Sequence, residues 1–304
     1  MAGLELTAYM ASFNDFYQLT KPRLSFLSLF SALIGFAIAP KLAVPSWGLL
    51  YTGLVSLGIA FSAGGAAVLN QWMEHRLDGL MLRTKDRPIP AGRVRPQTAL
   101  YFGLLLSVIG LGLLYAVSSP LTGSLALLTL VSYLLLYTPI KQLSPINTLI
   151  GAFPGALPPL IGWSAAEGTL SLLAGLLFAL LFFWQMPHFY ALAWLYREDY
   201  SSAGFKMLTL SDPKGVTVGQ RSFLYSLILV AITVLPYYYG FTSLVYLLIV
   251  SVLNLYLIRK AYAFMTVTEL TVKSAQARNL FIASILYLPA LLLLLCLDTA
   301  VFNF

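Results

Sequence analysis

The chain has 304 residues, of which 59% are hydrophobic and 10% are charged, and its mean hydropathy is +0.84. A water-soluble globule needs a more polar surface, so these values exclude that class and indicate an integral membrane protein. The net charge of +7 requires no nucleic-acid partner, because the basic residues lie where membrane topology and anionic lipid favour them.

Long apolar segments predict transmembrane helices. Each has roughly 17 to 25 residues, enough to cross a hydrocarbon core of about 30 Å, and the alternation typical of barrel strands is absent. The predicted fold is an all-α integral membrane protein in which residues 1–304 form one polytopic domain of about nine helices around a central cavity. In chain order the predicted spans are 24–44, 48–70, 97–117, 120–139, 147–166, 169–194, 222–240, 242–258 and 278–297.

The basic residues test this count, since cytoplasmic loops retain Lys and Arg and short exported loops do not. With nine spans, 17 of the 18 basic residues fall on one side, and Lys41 alone falls on the other. This predicts a cytoplasmic N-terminus, an external C-terminus and two long cytoplasmic loops, at about 71–96 and 195–221, where we expect the chemistry. The first twenty residues lack Lys and Arg, so we expect neither a signal peptide nor a transit peptide, and a bacterial inner membrane is the simplest location.

The first long loop begins with an acidic helical face. Asn70, Glu74 and Asp78 are spaced four residues apart, so they line one side of a helix that continues the second span past the membrane surface. Two carboxylates and a carboxamide suit a hard cation such as Mg²⁺, which takes oxygen ligands and usually shares them with phosphate. The spacing therefore predicts a metal site.

A basic tail follows this face. Arg83, Lys85 and Arg87 are able to hold the outer oxygens of a diphosphate. The spacing leaves a second interpretation open, in which all these groups are solvated loop charges that serve topology, with the two acids neutralised by Arg76 and Arg83.

The segment NQWMEHRLDGLMLRTKDRPIPAGR, residues 70–93, resembles the first signature of the UbiA superfamily of intramembrane prenyltransferases, NxxxDxxxD and its basic tail. Glu74 stands in place of the commoner Asp at the second position, which keeps the charge and the donor oxygens. The resemblance implies a UbiA-type prenyltransferase architecture and supports a magnesium–diphosphate site.

A second polar cluster lies near the cytoplasmic end of the sixth span. The run FFWQMPHFYALAWLYREDY contains Gln185 and His188 at membrane depth, where polar groups are costly and tend to mark function. Pro187 is expected to interrupt the helix. If the helix resumes, His188 and Asp199 are about three turns apart and face one cavity.

Most of the superfamily carries an Asp-rich signature here. This chain instead reads QMPHFYALAWLYREDYSSAGFKML, which resembles the heme-farnesylating branch, the protoheme IX farnesyltransferases. The segments TKPR (20–23), YTPIK (137–141) and NTLIGAFPGALPPLIGWSAAEG (147–168) resemble the same branch in order and spacing. The resemblance extends from about residue 15 to residue 295.

The resemblance implies transfer of the farnesyl group of farnesyl diphosphate to a vinyl group of heme b, with water adding, to give heme O and diphosphate. Mg²⁺ is the implied cofactor, heme b is a substrate, and a downstream heme A synthase is a possible partner. The resemblance leaves open whether one or two Mg²⁺ ions bind and whether His188 ligates the heme iron. The metal ligands expected on this basis are Asn70, Glu74, Asp78 and Asp199. These four residues and His188 are the expected catalytic residues. The residues expected to bind substrate are Arg83, Arg87, Tyr137, Lys141, Gln185 and Glu198.

Several alternatives accompany this assignment. The chain could prenylate a quinone precursor or another aromatic acceptor, or it could be a transporter that uses charges at membrane depth. The small residues of GAFPGALPPLIG could separate helices around a cavity or serve close packing. Trp184, Phe189 and Tyr190 could shield a carbocation or anchor the protein at the membrane interface.

Overall fold

Helices follow one another along the chain in the computed structural model, which describes residues 11–40, 45–46 and 48–302. Besides α-helices, these residues form a π-helical stretch and a short 3₁₀ turn. The elements are α1 (Phe13–Leu19), α2 (Pro22–Ile38), α3 (Gly48–Asp78), α4 (Pro96–Val117), α5 (Pro120–Val131), the π-helix (Ser132–Tyr137), α6 (Thr138–Leu143), α7 (Asn147–Ala156), α8 (Pro158–Glu167), α9 (Leu172–Leu195), α10 (Arg197–Ser202), the 3₁₀ turn (Leu208–Leu210), α11 (Val216–Tyr238), α12 (Leu244–Thr266) and α13 (Leu270–Phe302).

The helices agree with the prediction of a multi-pass membrane protein. Within the described ranges, eight helical segments are long and apolar enough to cross a membrane, and the count is nine if α1 and α2, bent by 51° to each other, form one span. Several helices extend beyond the predicted limits at the ends predicted to be cytoplasmic, because a helix can continue past the hydrocarbon core once its residues become polar. Residues 41–44, and with them Lys41, lie outside the described residues.

Helix starts carry the residues that favour them. Pro is tolerated in the first turn, where its missing N–H would lack a partner anyway, and a Ser hydroxyl before the helix satisfies another N–H. The proline starts are at α2, α4, α5, α6 and α8, and the serine caps are Ser12, Ser119, Ser171 and Ser243.

Glycines set the closest helix contacts. A Cβ at Gly162 of α8 would overlap the carbonyl oxygen of Ala32 in α2, and one at Gly35 of α2 would overlap that of Pro159. Every residue of α8 from Pro158 to Ala166 is buried, so this helix lies inside the bundle. The small residues of 151–162 therefore serve close packing at these positions.

The sixth predicted span differs from expectation in two ways. Pro187 lies inside α9, which continues without interruption from Leu172 to Leu195. The break comes later, at Tyr196, whose φ of −108° and ψ of 24° are not helical, and α10 starts at Arg197. The predicted common face of His188 and Asp199 required one helix through both, and that premise is wrong.

A buried polar network fixes α13 against its neighbours. Tyr287 of α13 donates to Asn254 Oδ1 of α12 at 2.6 Å, and Asn254 Nδ2 donates to Thr233 Oγ1 of α11 at 2.9 Å. Tyr246 OH donates to the carbonyl of Thr233 at 2.9 Å. Because unpaired polar groups are costly at membrane depth, these bonds hold the three helices in one register.

Candidate active site

The acidic face of α3 is buried near the C-terminal end of that helix. Asn70 is 1%, Glu74 5% and Asp78 1% exposed. Asn70 Nδ2 donates to Glu74 Oε2 at 3.0 Å, which confirms that neighbouring turns of the helix place these side chains together. Burial excludes the interpretation that the two acids are solvated loop charges.

Three cations reach this face from separate parts of the chain. Lys141 Nζ lies 2.6 Å from Glu74 Oε1, and Arg87 Nη1 lies 2.7 Å from Asp78 Oδ2. Lys21 Nζ donates to Asn70 Oδ1 at 2.8 Å. We call these six residues the charged cluster: it contains three cations and two carboxylates, and so carries one excess positive charge. Buried charges need compensation, so the cluster favours an anionic ligand.

Lys21 is a member of the charged cluster that sequence reasoning did not predict. It precedes α2 with a left-handed φ of 46°, the single positive φ at a non-glycine residue in the described ranges. The sequence signal is the segment TKPR, which belongs to the family resemblance, but its lysine counts there only among the basic residues that indicate topology. Its partner Asn70 is 49 positions away, so no local spacing could reveal the contact.

The π-helical stretch brings two predicted substrate residues to the cluster. Lys141 Nζ lies 4.6 Å from the ring centre of Tyr137, which stacks on Tyr133 at 5.6 Å. Thr138 accepts from Asn70 Nδ2 at 3.1 Å and donates to the carbonyl of Tyr133 at 2.9 Å. Such π-helical turns often occur at functional sites, because the extra residue redirects side chains.

The basic tail divides between two environments. Arg87 joins the charged cluster, whereas Arg83 is exposed and lies 5.1 Å from the ring centres of both Tyr196 and Tyr200. Lys85 is also exposed. The structure thus places Arg87, one of the three cations of the basic tail, beside the acids.

The two long polar loops, at about 71–96 and 195–221, pack against each other. Asp199 Oδ1 accepts from the backbone N–H of Leu82 at 3.1 Å. Met81 is buried together with Phe205 and Met207. Glu198, predicted to bind substrate, is exposed on α10.

The second loop also covers Lys141. The N–H of Lys206 donates to the carbonyl of Lys141 at 2.7 Å, and Asn147 Nδ2 donates to the carbonyl of Lys206 at 2.8 Å. Phe205 presents its ring 5.7 Å from Lys141 Nζ. This loop therefore limits the access of water to the charged cluster.

Gln185 and His188 make their contacts elsewhere. Gln185 Nε2 donates to the carbonyls of Ala152 at 3.2 Å and Leu181 at 3.1 Å, so it joins α9 to α7. His188 Nδ1 lies 2.8 Å from Ser284 Oγ of α13. The site thus consists of the charged cluster and a separate histidine group.

Aromatic rings surround His188. Trp184 stacks on it with ring centres 4.8 Å apart, and Phe189 meets it edge-on at 5.3 Å. Tyr190 is buried and stacks on Tyr225 of α11. These contacts put the aromatic residues inside the helix bundle, which disfavours the role of interfacial anchors for Trp184 and Tyr190.

The donor set fits Mg²⁺ in a limited way. In the described part of the chain no group of three or more His, Cys, Asp and Glu side chains is arranged to hold a metal ion, and Asp199 contacts the backbone of Leu82. Glu74 and Asp78 with the Asn70 carboxamide are nevertheless buried oxygen donors on one face. Mg²⁺ commonly uses one or two carboxylates and completes its shell with substrate phosphates, so this set fits the ion when a diphosphate is bound.

An apolar cavity of about 660 Å³ lies between α1, α2, α3 and α4. Its lining includes Phe16, Phe26 and Phe102, and it reaches Thr20 and Pro22 on either side of Lys21. None of the residues predicted to form the site lines this cavity.

The chain belongs to the UbiA prenyltransferase family, whose model matches residues 28–297. Its relatives include a protoheme IX farnesyltransferase of Opitutus terrae, 45% identical over 95% of both chains. Another protoheme IX farnesyltransferase, of Koribacter versatilis, is 38% identical over 95% of this chain and 94% of the relative.

Solved structures share the fold. A digeranylgeranylglyceryl phosphate synthase superimposes with a TM-score of 0.77 at 16% identity, over 94% of this chain and 98% of that one. A UbiA homologue from Archaeoglobus fulgidus bound to GPP and Mg²⁺ gives a TM-score of 0.66 at 16% identity, over 94% and 99% of the two chains. The predicted UbiA-type helical architecture is confirmed.

Proposed function

We propose that this protein transfers the farnesyl group of farnesyl diphosphate to a vinyl group of heme b, giving heme O and diphosphate. The observation that carries the proposal is the buried charged cluster, whose three cations and three oxygen-donor side chains suit a magnesium diphosphate. Similarity over nearly the whole length to proteins named protoheme IX farnesyltransferase supports the choice of prenyl donor and acceptor.

The charged cluster promotes ionisation of the allylic diphosphate. Asn70, Glu74 and Asp78 would hold Mg²⁺, which would supply electrostatic stabilisation of the leaving group. Lys21, Arg87 and Lys141 bind the remaining diphosphate oxygens. As the bond between C1 and oxygen breaks, its electron pair passes to diphosphate, and these fixed cations stabilise the growing negative charge.

Transfer to heme completes the reaction. The vinyl π electrons form the new carbon–carbon bond to farnesyl C1, and the cation left beside the pyrrole ring takes a hydroxyl from water, which releases one proton. The sum is heme b, farnesyl diphosphate and water giving heme O and diphosphate. Tyr133 and Tyr137, stacked beside Lys141, stabilise the farnesyl cation through their ring faces.

The roles of four residues differ from the sequence prediction. Asp199 anchors one cytoplasmic loop to the other through Leu82, and Arg83 supports the same contact through Tyr196 and Tyr200. Gln185 joins α7 and α9. In this proposal these three residues, and the exposed Glu198, support the site without contacting Mg²⁺ or diphosphate.

Binding of Mg²⁺ and farnesyl diphosphate is expected to be cooperative. The cluster carries one excess positive charge, Mg²⁺ adds two, and a diphosphate ester carries roughly three negative charges near neutral pH. The complete complex is therefore nearly neutral, whereas either ligand alone leaves buried charge uncompensated. Reciprocal coupling follows: each ligand tightens the binding of the other.

We place the protein in a bacterial inner membrane, with its basic loops in the cytoplasm. The charge distribution and the bacterial relatives support this location. A heme A synthase, which would consume the product, is the partner this reaction predicts.

The direct test incubates the purified protein in lipid nanodiscs with heme b, farnesyl diphosphate and Mg²⁺, followed by mass analysis of the hemes. We expect heme O, with turnover lost on the order of 100-fold or more in Glu74→Gln and in Asp78→Asn. Glu269→Gln, which removes an exposed acid at the start of α13, is the matched control and should retain normal turnover.

Three outcomes would contradict the proposal or part of it. A folded preparation that binds both substrates yet forms no heme O would refute the reaction. Prenylation of an aromatic acid in place of heme would support the alternative acceptor class. Normal turnover in both Glu74→Gln and Asp78→Asn would refute the metal role of α3.

A further inference from the structure

Ser284 determines which nitrogen of His188 carries the proton. The Ser284 hydroxyl donates its single hydrogen to the carbonyl of Phe281 at 2.7 Å. At the 2.8 Å contact with His188, the Ser284 oxygen must therefore accept, and His188 Nδ1 must donate. In the neutral ring the lone pair then lies on Nε2.

The surroundings hold the imidazole in one orientation. Trp184 stacks on the ring at 4.8 Å, Phe281 packs on it at 4.8 Å, and the Trp184 indole donates to the carbonyl of Ser284 at 2.8 Å. Ser284 itself is completely buried. Its rotamer, like the ring plane of His188, is thus fixed by packing.

The second ring nitrogen of His188, Nε2, is the one that makes no hydrogen bond in the described ranges. His188 Nδ1 makes the hydrogen bond to Ser284, and across the described ranges Nε2 has no hydrogen-bond partner. A purely structural histidine at membrane depth would be expected to satisfy both nitrogens. An oriented imidazole with a protonated, hydrogen-bonded Nδ1 and an available Nε2 is the usual arrangement of a metal-ligating histidine.

We propose that His188 Nε2 is an axial ligand of the iron of the porphyrin substrate, and that Ser284 is the positioning residue that keeps Nδ1 protonated. This inference rests on the proposed function, which supplies heme as the acceptor. Imidazole is a frequent axial ligand of heme iron, and the apolar rings around His188 suit an apolar macrocycle. No farnesyl-transfer step assigned to the charged cluster uses His188.

The test compares two porphyrins that differ by the iron. The purified protein in nanodiscs is titrated with heme b and, separately, with metal-free protoporphyrin IX, and the Soret band and the dissociation constants are measured. His188→Ala should weaken heme binding at least tenfold and remove the Soret shift, while leaving metal-free porphyrin binding unchanged. Added imidazole should restore the shift.

Ser284 is tested by the same titrations. Ser284→Ala should weaken heme binding by about 10- to 100-fold, because the ring loses its tautomer and orientation. Ser284→Thr keeps the hydroxyl and should restore binding. Ser226→Ala is the matched control, since Ser226 is a buried serine that bonds its own helix α11, and it should bind heme normally.

The outcomes separate this inference from the proposed function. If His188→Ala weakens both porphyrins equally, or leaves the heme Soret band unchanged, ligation is refuted even when heme O is still formed. If the wild-type protein ligates heme through His188 but forms no heme O, the proposed reaction is refuted and the ligation stands.

Discussion

Lys21 enters the charged cluster through a backbone conformation that L-residues adopt at a cost. Its φ of 46° is left-handed, which costs about 1 kcal/mol at a residue with a Cβ. The side chain is also drawn into a buried site beside Asn70. Strain maintained together with a buried charge is typical of functional positions, and the proposed diphosphate site would account for both.

Two substitutions separate the charge of Lys21 from its backbone. Lys21→Ala and Lys21→Gly both remove the cation, so each should raise the KM for farnesyl diphosphate about 10- to 100-fold. Glycine accepts the left-handed conformation, so Lys21→Gly should melt at a higher temperature than Lys21→Ala. Steady-state kinetics and thermal unfolding in detergent measure the two effects, and a normal KM in both variants would exclude contact with diphosphate.

The sequence predicted part of this residue-level picture. The acidic face of α3 follows from a four-residue spacing, which is a local property of one helix. The basic residues could not be sorted in the same way, because Arg83 and Arg87 lie in an irregular loop whose path depends on distant contacts. Arg87 forms an ion pair with Asp78, whereas Arg83 packs on the rings of Tyr196 and Tyr200.

At the scale of elements, the two long polar loops act as one cover over the site. Met81 and Phe205 bury apolar surface between them, and Asp199 caps the N–H of Leu82. The second loop also bonds the backbone of Lys141 through Lys206. Displacement of either loop would therefore expose the charged cluster to water.

Two substitutions of Asp199 test whether the contact between the loops needs the charge of this side chain or only its hydrogen-bond acceptor. Asp199→Asn retains an oxygen for the Leu82 N–H and should keep turnover within about tenfold of normal, whereas Asp199→Ala leaves that N–H unpaired and should lose more. Heme O formation measures both. A loss in Asp199→Asn as large as in Asp78→Asn would show that Asp199 acts as a metal ligand.

The α2–α8 contact is an element-scale feature that depends on glycine. Gly162→Ala would drive a Cβ into the Ala32 carbonyl, and overpacking of this kind costs about 1 to 3 kcal/mol. Gly175→Ala is the matched control, because Gly175 is exposed on α9 and a Cβ there meets nothing within 4 Å. Thermal unfolding should show a lower melting temperature for the first and an equal or higher one for the second; equal values for both would contradict the tight contact.

Spans could be predicted from composition, whereas the irregularities between them could not. Length and apolarity determine where a helix crosses the membrane, so most predicted limits lie close to those observed. The π-helical stretch at 132–137 and the break at Tyr196 depend on tertiary contacts. Pro187 misled the prediction because a helix inside a bundle tolerates proline when its neighbours compensate for the lost bond.

At the scale of the whole molecule, the charge asymmetry and the site share one side of the membrane. The charged cluster lies at the start of α2, at the end of α3 and on α6, next to the loops that carry most of the basic residues. A trianionic, water-soluble head on an apolar chain can reach such a site from the membrane interface on the same side without crossing the bilayer. The orientation of the protein thus determines from which side the donor is taken.

Thiol labelling tests this orientation. Cys296 is the single cysteine of the sequence, so Cys296→Ala provides a background without thiols. In this background, one variant carries Thr169→Cys in the loop after α8, and another carries Ser201→Cys in the second long polar loop. Both positions are exposed. In intact spheroplasts an impermeant maleimide should label Thr169→Cys and spare Ser201→Cys, because α9 crosses the membrane between them and basic loops stay inside. Permeabilisation should make both reactive, which controls for burial. The reverse labelling would invert the orientation and move the charged cluster to the outer face, while labelling of both from outside would contradict α9 as a span.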